Sequence, residues 1–424
     1  MASVTNQDPP DRTARLELSS HKGVYNSAVT SSPVRQYLLQ EFGSRNGMLR
    51  RNRLAPIVKW AGGKSHELKF ILPSIPSRYV TYHEPFVGGG AVFFAQTARQ
   101  AHLNDKSQEL MHLYELVKSD DRAFFGTLAT INRKWRLIDD LIESRQEALI
   151  RIYRDYASQH GDDGIARSYS GEMVENVSDD LAGLLAKPFR HPKNSLANEA
   201  IRNLTSKIAR IRRLESENSQ FSDVQLKQNL ESAIRSAFYM HLRRAYNHAD
   251  ELGLSLPEKI GTFYFVREFC YASMFRYNEH GHFNVPYGGL QYNRKDFRRK
   301  VDRLQSKEYQ EHLAQAELSC LDFESFLESS RPSPDDFIFL DPPYDSDFST
   351  YARNSFGADE HRRLADYLLH SCRAMFMLVI KATDLILGLY EGSGLSIRRF
   401  DKRYLVSFQA RNDPHAKHLL ITNY

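Results

Sequence analysis

The 424-residue chain holds three cysteines, Cys270, Cys320 and Cys372, widely spaced and in no CxxC pair. That spacing argues against a disulfide scaffold and a cysteine-rich zinc site and suits a reducing cytoplasm. No apolar run approaches the ~18–20 residues that a membrane span requires. The N-terminus, MASVTNQDPPDR, lacks the apolar core of a secretory signal. Neither sign of charge dominates. The net charge is +5, of which +4 falls in residues 1–53, leaving the rest nearly balanced at +1. A surface for a polyanion must therefore be a patch gathered by folding. No internal repeat is evident. Hydrophobic residues make up 41% and charged residues 26%, enough to build a sizeable core. The length fits one large domain with an insertion, or two to three ordinary domains.

Residues 1–53 are polar, lack periodicity and end in the basic run 49–53; they read as a flexible N-terminal extension. From 54 the pattern changes. A strand at 79–84 leads into Pro85-Phe86-Val87-Gly88-Gly89-Gly90, and a helical run at 91–100 follows. A second strand at 101–103 closes on Asn104-Asp105, and a helix is expected over QELMHLYELVK. This is the opening of a parallel α/β sheet. Residues 119–255 are long, charged and poor in strand signals. Ile201, Leu204, Ile208, Ile211 and Leu214 follow helical spacing, whereas 158–195 reads as a loose polar stretch. A hairpin is expected at 276–289 with Gly281 in its turn. Lys and Arg cluster at 294–303. The α/β pattern resumes at about 316, with strands at 318–321, 337–340 and 376–380. A helix at 358–370 and closing strands at 396–408 and 418–424 complete it. The sheet is thus divided in sequence, 54–118 and 316–424, by an insertion spanning 119–315.

Three motifs carry chemistry. In Glu84-Pro85-Phe86-Val87-Gly88-Gly89-Gly90, glycines between a strand and a helix let the backbone approach a ligand. The dinucleotide fingerprint G-x-G-x-x-G is absent. Asp105, ending the next strand, is placed either to accept bonds from ribose hydroxyls or to cap a helix. The second motif, Lys59-Trp60-Ala61-Gly62-Gly63-Lys64-Ser65, invites a P-loop reading, but Val58 stands where the first P-loop glycine belongs. Trp60 and both lysines remain candidates for stacking and charge contact. The third, Asp341-Pro342-Pro343-Tyr344, follows the apolar strand FIFL. Its two prolines remove backbone donors and leave carbonyls for a ligand. A carboxylate, those carbonyls and an aromatic face suit a planar base with an exocyclic amino group.

KWAGGK, EPFVGGG, the Asn104-Asp105 strand end, FRYNEHGHFNVPYGG and FLDPPY occur in the order found in the Dam-like, D12-class adenine-N6 DNA methyltransferases, and the sequence resembles that family over 56–118 and 256–424. The resemblance implies a Rossmann-like S-adenosylmethionine-dependent methyltransferase sheet. It also implies a large, mainly helical DNA-recognition insertion containing a β-hairpin. It places Trp60, Lys64, Glu84, Phe86, Gly88, Asp105, Asp322 and Asp341 on the cofactor. Asp341, Pro342 and Tyr344 would hold the target adenine. Lys59, Arg276, Tyr277, Asn278 and Asn284 would contact DNA. One departure stands out: VREFCYASM precedes the hairpin where the Dam enzyme has an Asn- and Gly-containing run.

The implied activity is methyl transfer to adenine N6 in double-stranded DNA, with the base flipped out. The chain would act as a cytoplasmic monomer of bacterial or phage type, alongside a separate restriction endonuclease, with no metal and no membrane partner. Methyl transfer to cytosine N4 or to an RNA base is chemically similar, and a catalytically silent DNA-binding module is the non-enzyme alternative. Arg294, Lys295, Arg298, Arg299 and Lys300 suit phosphate contacts or a plain solvated face.

Overall fold

In the computed structural model, which describes residues 54–159, 163–184, 196–344, 356–401 and 417–424, seven strands form one sheet. They are β1 (Tyr82–Glu84), β2 (Ala101–Asn104), β3 (Ala316–Ser319), β4 (Phe337–Leu340), β5 (Met375–Lys381), β6 (Ser396–Asp401) and β7 (Lys417–Thr422). Their spatial order is β3-β2-β1-β4-β5-β7-β6. The neighbours from β3 to β5 are parallel, and β7 runs antiparallel to both β5 and β6. The two halves of the split sheet interleave: β3 pairs with β2, and β4 pairs with β1. Order reverses between β1 and β4, and in open α/β sheets a ligand crevice forms outside the strand ends at such a point.

Alternation along the central strands builds the two faces. Phe337 and Phe339 of β4, Met377 and Val379 of β5 and Leu420 of β7 join one core. Ile338, Leu340, Phe376, Leu378, Ile380, Leu419 and Ile421 join the other. The first core continues into the helical insertion.

The α-helices longer than four residues among the described residues are α1 (Gln108–Lys118), α2 (Arg122–Ser158), α3 (Asp163–Asn176), α4 (Ser178–Leu184), α5 (Leu196–Glu217), α6 (Asp223–Asn247), α7 (Leu256–Phe269), α8 (Phe297–Leu304), α9 (Lys307–Ala314), α10 (Phe323–Ser330), α11 (Ala358–Asp366) and α12 (Asp384–Tyr390). Asp121 caps α2 by accepting from Phe124 N at 2.7 Å, and Ser222 opens α6 in a capping box. Arg235, fully buried, ties α6 to α2. It binds Glu231 at 2.6 Å, the Trp135 carbonyl at 3.0 Å and the Asp139 carboxylate, and lies 4.4 Å from the Trp135 ring centroid.

Two expectations from sequence fail. The run 91–100 is no helix: it makes a single 3₁₀ turn, Phe93–Ala95. Its carbonyls are claimed from outside. The Phe94 carbonyl accepts from Leu54 N at 3.0 Å, and the Phe93 carbonyl pairs with His312 Nε2 at 2.9 Å. Tertiary partners thus replace the i→i−4 ladder. The stretch 158–195 is not loose where described. It contains α3 and α4, whose Ala166, Met173, Val174, Leu181 and Leu184 are buried. The segments 1–53, 185–195 and 402–408 of the sequence expectations lie outside the described residues. No described helix is long and apolar enough to cross a membrane.

Candidate active site

The carboxyl ends of the parallel strands open into a cleft of about 240 Å³. Glu84 ends β1, Asn104 and Asp105 follow from β2, Asp322 lies beyond β3, Asp341 follows β4, and Lys381 ends β5; all six line the cleft. Trp60, Lys64, Phe86, Gly88, Pro342 and Tyr344 line it too. The sequence-derived cofactor and target-base residues therefore meet in one place.

Close approach of backbone explains the glycines. Gly89 O accepts from Ile57 N at 2.9 Å, and a Cβ on Gly89 would lie 2.5 Å from the Val58 carbonyl oxygen. Gly88 has φ +50°, and a Cβ there would come within 2.9 Å of Trp60 Cδ1. The glycine-rich loop is thus seated directly on the Lys59–Lys64 segment. Asp105 holds the loop from the other side: Oδ2 accepts from Gly88 N at 3.0 Å and Oδ1 from Ser107 N at 2.9 Å. Burial pushes the Asp105 carboxyl up to about 6, against the pull of those two amides.

Glu84 is buried and accepts from the Tyr82 hydroxyl at 2.7 Å. Burial raises its pKa well above the usual carboxylate range; the Tyr82 bond opposes this and the charge of Asp341 adds to it. Asn104 was legible as part of a strand end, but not for what its side chain does. It donates to the Pro85 and Leu321 carbonyls, each at 3.0 Å, and accepts from Leu321 N at 2.8 Å. It thereby stitches together the loops after β1 and β3. Sequence reasoning also missed Lys381, whose signal was a cation closing the buried run MFMLVI.

Lys64 is almost fully buried. Its ammonium donates to the Gly62 carbonyl and the Tyr344 hydroxyl, each at 2.9 Å, and pairs with Asp341 Oδ1. The GKS segment is therefore an anchor for the Asp-Pro-Pro-Tyr loop, and only one helical turn, Leu68–Ile71, follows it. Phe86 packs against Phe323 and Phe356 at 5.6 and 5.5 Å between ring centroids. Asp322 caps α10 and pairs with Arg363 at 2.5 Å. Trp60 meets Phe275 edge-on at 4.4 Å, so it both packs and lines the cleft.

The hairpin forms as expected, with Gly281 at φ +70°. Asn278 N donates to His282 O at 2.9 Å, and Asn284 N to Arg276 O at 3.0 Å. Its side chains are partly engaged in building it. Asn278 Oδ1 accepts from the amides of His280 and His282, and Arg276 Nε donates to Asn284 Oδ1 at 2.7 Å. Tyr277 bridges to Phe283. Lys59 is exposed, and its carbonyl accepts from the buried Arg267 at 3.1 Å. Of the 294–303 basic set, Lys295 and Lys300 are bound to Glu268.

The sequence profile of the D12 class N6 adenine-specific DNA methyltransferases matches residues 60–235 and 221–404. The chain belongs to this family. This D12-class enzyme is 27% identical over 377 residues to the type II methyltransferase M.CviBI of Paramecium bursaria Chlorella virus NC1A, an alignment spanning 88% of this chain and all of the relative. It is 23% identical over 391 residues to the type II methyltransferase M.MjaIII of Methanocaldococcus jannaschii, covering 87% and 99% of the two chains. It is 24% identical over 318 residues to the DNA adenine methylase of Haemophilus influenzae, covering 73% of each. The chain is therefore an adenine-specific DNA methyltransferase, and its split sheet sets Asp-Pro-Pro-Tyr and the glycine-rich loop in one cleft.

Proposed function

We propose that the cleft binds S-adenosylmethionine beside an adenine flipped out of duplex DNA. The observation that carries this reading is the junction of the two loops: Asp341 and Tyr344 are held by Lys64, whose segment carries the glycine-rich loop and Asp105. The residues fit such a donor. Asp105 is the acceptor for ribose hydroxyls, Phe86 and Phe323 give an apolar wall, and Asp341, paired with Lys64, supplies a carboxylate near a cation. When bound, the donor supplies an electrophilic methyl group on sulfonium sulfur.

The chain's own residues then act on the acceptor. The N6 lone pair of adenine is delocalised into the ring. Bonds from the amino hydrogens to the Asp341 carboxylate and the Pro342 carbonyl favour a more tetrahedral, more nucleophilic nitrogen. Lys64 fixes the Asp341 rotamer through Oδ1, so acceleration comes from positioning and electrostatics. As N6 would be alkylated, the electron pair of the broken sulfur–methyl bond would stay on sulfur and the surplus N6 proton would pass by way of the Asp341 carboxylate to solvent. Extruding the base costs a few kcal/mol, and stacking on Tyr344 offsets about 1–3 kcal/mol of it. The hairpin carrying Arg276, Tyr277, Asn278 and Asn284, with Lys59 nearby in the fold, faces the DNA. One chain holds both halves of the cleft, which supports the reading of a monomer acting in the compartment of its DNA. Type II relatives support a companion endonuclease acting separately.

Incubation with methyl-labelled donor and plasmid DNA tests the reading. Label is expected on adenine N6 with wild type, and a loss of at least about 10³-fold is expected with Asp341→Asn. Label on cytosine, or an active Asp341→Asn variant, would overturn it.

A further inference from the structure

A second cavity, of about 200 Å³, lies between the C-terminal end of α6 and the hairpin. Its lining includes Arg243, Arg244, Asn247, His248, Asn278 and His282. The floor is fixed. The Asn247 side chain exchanges two bonds with the Phe283 backbone, donating to its carbonyl and accepting from its amide, both at 2.9 Å. The Val285 carbonyl accepts from the Tyr239 hydroxyl and from Arg243, each at 2.9 Å. The hairpin is thereby held at a set height above the helix.

The charge of this pocket is unbalanced. Arg243 and Arg244 line it, and Arg276 is close enough to act on Arg243 electrostatically. The buried Glu199 takes one Arg244 nitrogen at 2.5 Å and Arg202 at 3.4 Å. Arg244 Nη1 is buried and finds no hydrogen-bond partner among the described residues. His248 and His282 rings stand 4.9 Å apart beside them. Burial lowers the Arg243 pKa and the charges of Arg244 and Arg276 lower it further, with Tyr239 and Glu199 opposing. Gathered guanidinium groups with an unused donor call for an anion, and planar guanidinium forks match phosphate oxygens.

We infer that this pocket takes a backbone phosphate of the DNA, so that Arg243 and Arg244 of α6 extend the hairpin's contact surface with a sequence-independent grip. The inference rests on the proposed function, which puts the hairpin against DNA. The occupant is a phosphodiester because the pocket adjoins that hairpin and presents donors and cations, while the carboxylates beside it are engaged, Glu199 with Arg244 and Arg202 and Glu251 with His248 at 3.0 Å. Phosphate contacts position a protein on the duplex, whereas base contacts specify the site.

Arg243→Gln leaves Val285 O its bond from Tyr239, so the hairpin keeps its anchor. Binding of the full chain to a duplex is measured by fluorescence anisotropy across a salt series. Arg243→Gln is expected to weaken binding about tenfold, equally on methylatable and unrelated duplexes, and to reduce the salt slope by about 1. Arg243→Lys, which keeps the charge, is expected to retain the slope. An unchanged slope for Arg243→Gln, or a loss confined to one sequence, would overturn the inference. If Arg243→Gln does not fold, His282→Glu serves: a tenfold or greater loss of affinity supports the pocket, and unchanged affinity sinks it. Wild type that fails to methylate DNA would overturn the proposed function itself; wild type that methylates while Arg243→Gln keeps its slope overturns the pocket alone.

Discussion

The ammonium of Lys64 sits on the carboxylate of Asp341, 277 positions away in the chain, and on the hydroxyl of Tyr344 at 2.9 Å. Lys64 thus locks the residues proposed to receive the target base, from within the segment that seats the glycine-rich loop. Lys64→Met removes the cation and leaves Asp341 facing Glu84 without it. The expected result is a fall in the single-turnover methylation rate of about 10²-fold or more, with a stability loss of about 3 kcal/mol. Donor affinity is expected to change less than the rate. Rapid-quench kinetics beside calorimetry of donor binding separates the two; a rate within threefold of wild type would refute the clamp.

Asp105 predicts a pH dependence for donor binding. Burial moves its pKa from 3.8 to about 6 in the folded chain. The folded state therefore holds this proton more tightly than the unfolded chain, and the group's contribution to stability declines as pH rises from about 4 to 6. Binding runs the other way in the proposed site, where ribose hydroxyls would donate to the ionised carboxylate. Affinity is expected to be full above pH 6 and to fall by up to about tenfold per unit below it. Isothermal titration at pH 5 and 7.5 checks this. In Asp105→Asn the affinity is expected to be weak at both values, with the dependence flattened; a wild-type affinity equal at both would count against the assignment.

Legibility tracked how locally each feature is encoded. The helix Gln108–Lys118 was readable to the residue, because its apolar positions repeat at helical spacing behind the Ser107 cap. The strand Phe337–Leu340 was readable because four apolar residues end at an aspartate. The run 91–100 was misread because the partners of its carbonyls, Leu54 and His312, lie far along the chain. Helices α3 and α4 were missed because their apolar residues are sparse and gain burial only against the distant helices α2 and α5. In the site, the motif residues were found one by one. No sequence rule gave the Lys64–Asp341 pair or the bridging by Asn104, since both depend on how distant loops meet.

The segment VREFCYASM, which leads into the hairpin, contains a place of real backbone strain. Ala272 and Ser273 take left-handed conformations, with φ of 51° and 55°, which Asn and Gly adopt at least cost. The strain is held by Arg267, buried, which donates to the carbonyls of Ser273 at 3.0 Å and Met274 at 2.6 Å. Ser273→Gly keeps those backbone bonds and removes the Cβ penalty of about 1–2 kcal/mol, less glycine's entropic cost of about 0.5–1 kcal/mol. A net gain of about 0.5 kcal/mol is expected as a higher urea midpoint. A lower midpoint would show that the Ser273 side chain contributes more than its backbone costs.

Two glycines with positive φ separate backbone strain from crowding. Gly90 has φ +75°, and a Cβ there would lie 2.5 Å from the Tyr114 hydroxyl and 2.7 Å from Phe94 Cδ2. Gly253 has φ +62° with nothing within 4 Å. Alanine at Gly253 meets only the left-handed penalty, about 1 kcal/mol. Alanine at Gly90 adds overpacking of about 1–3 kcal/mol, and it pushes on Tyr114, whose hydroxyl donates to the Gly88 carbonyl at 3.0 Å. Gly90→Ala is therefore expected to be the more destabilised by denaturant titration and to bind the donor more weakly, because the Gly88 turn that Asp105 holds would shift. Equal losses for the two variants would mean that the Gly90–Tyr114 contact relaxes freely and does not set the shape of the cleft.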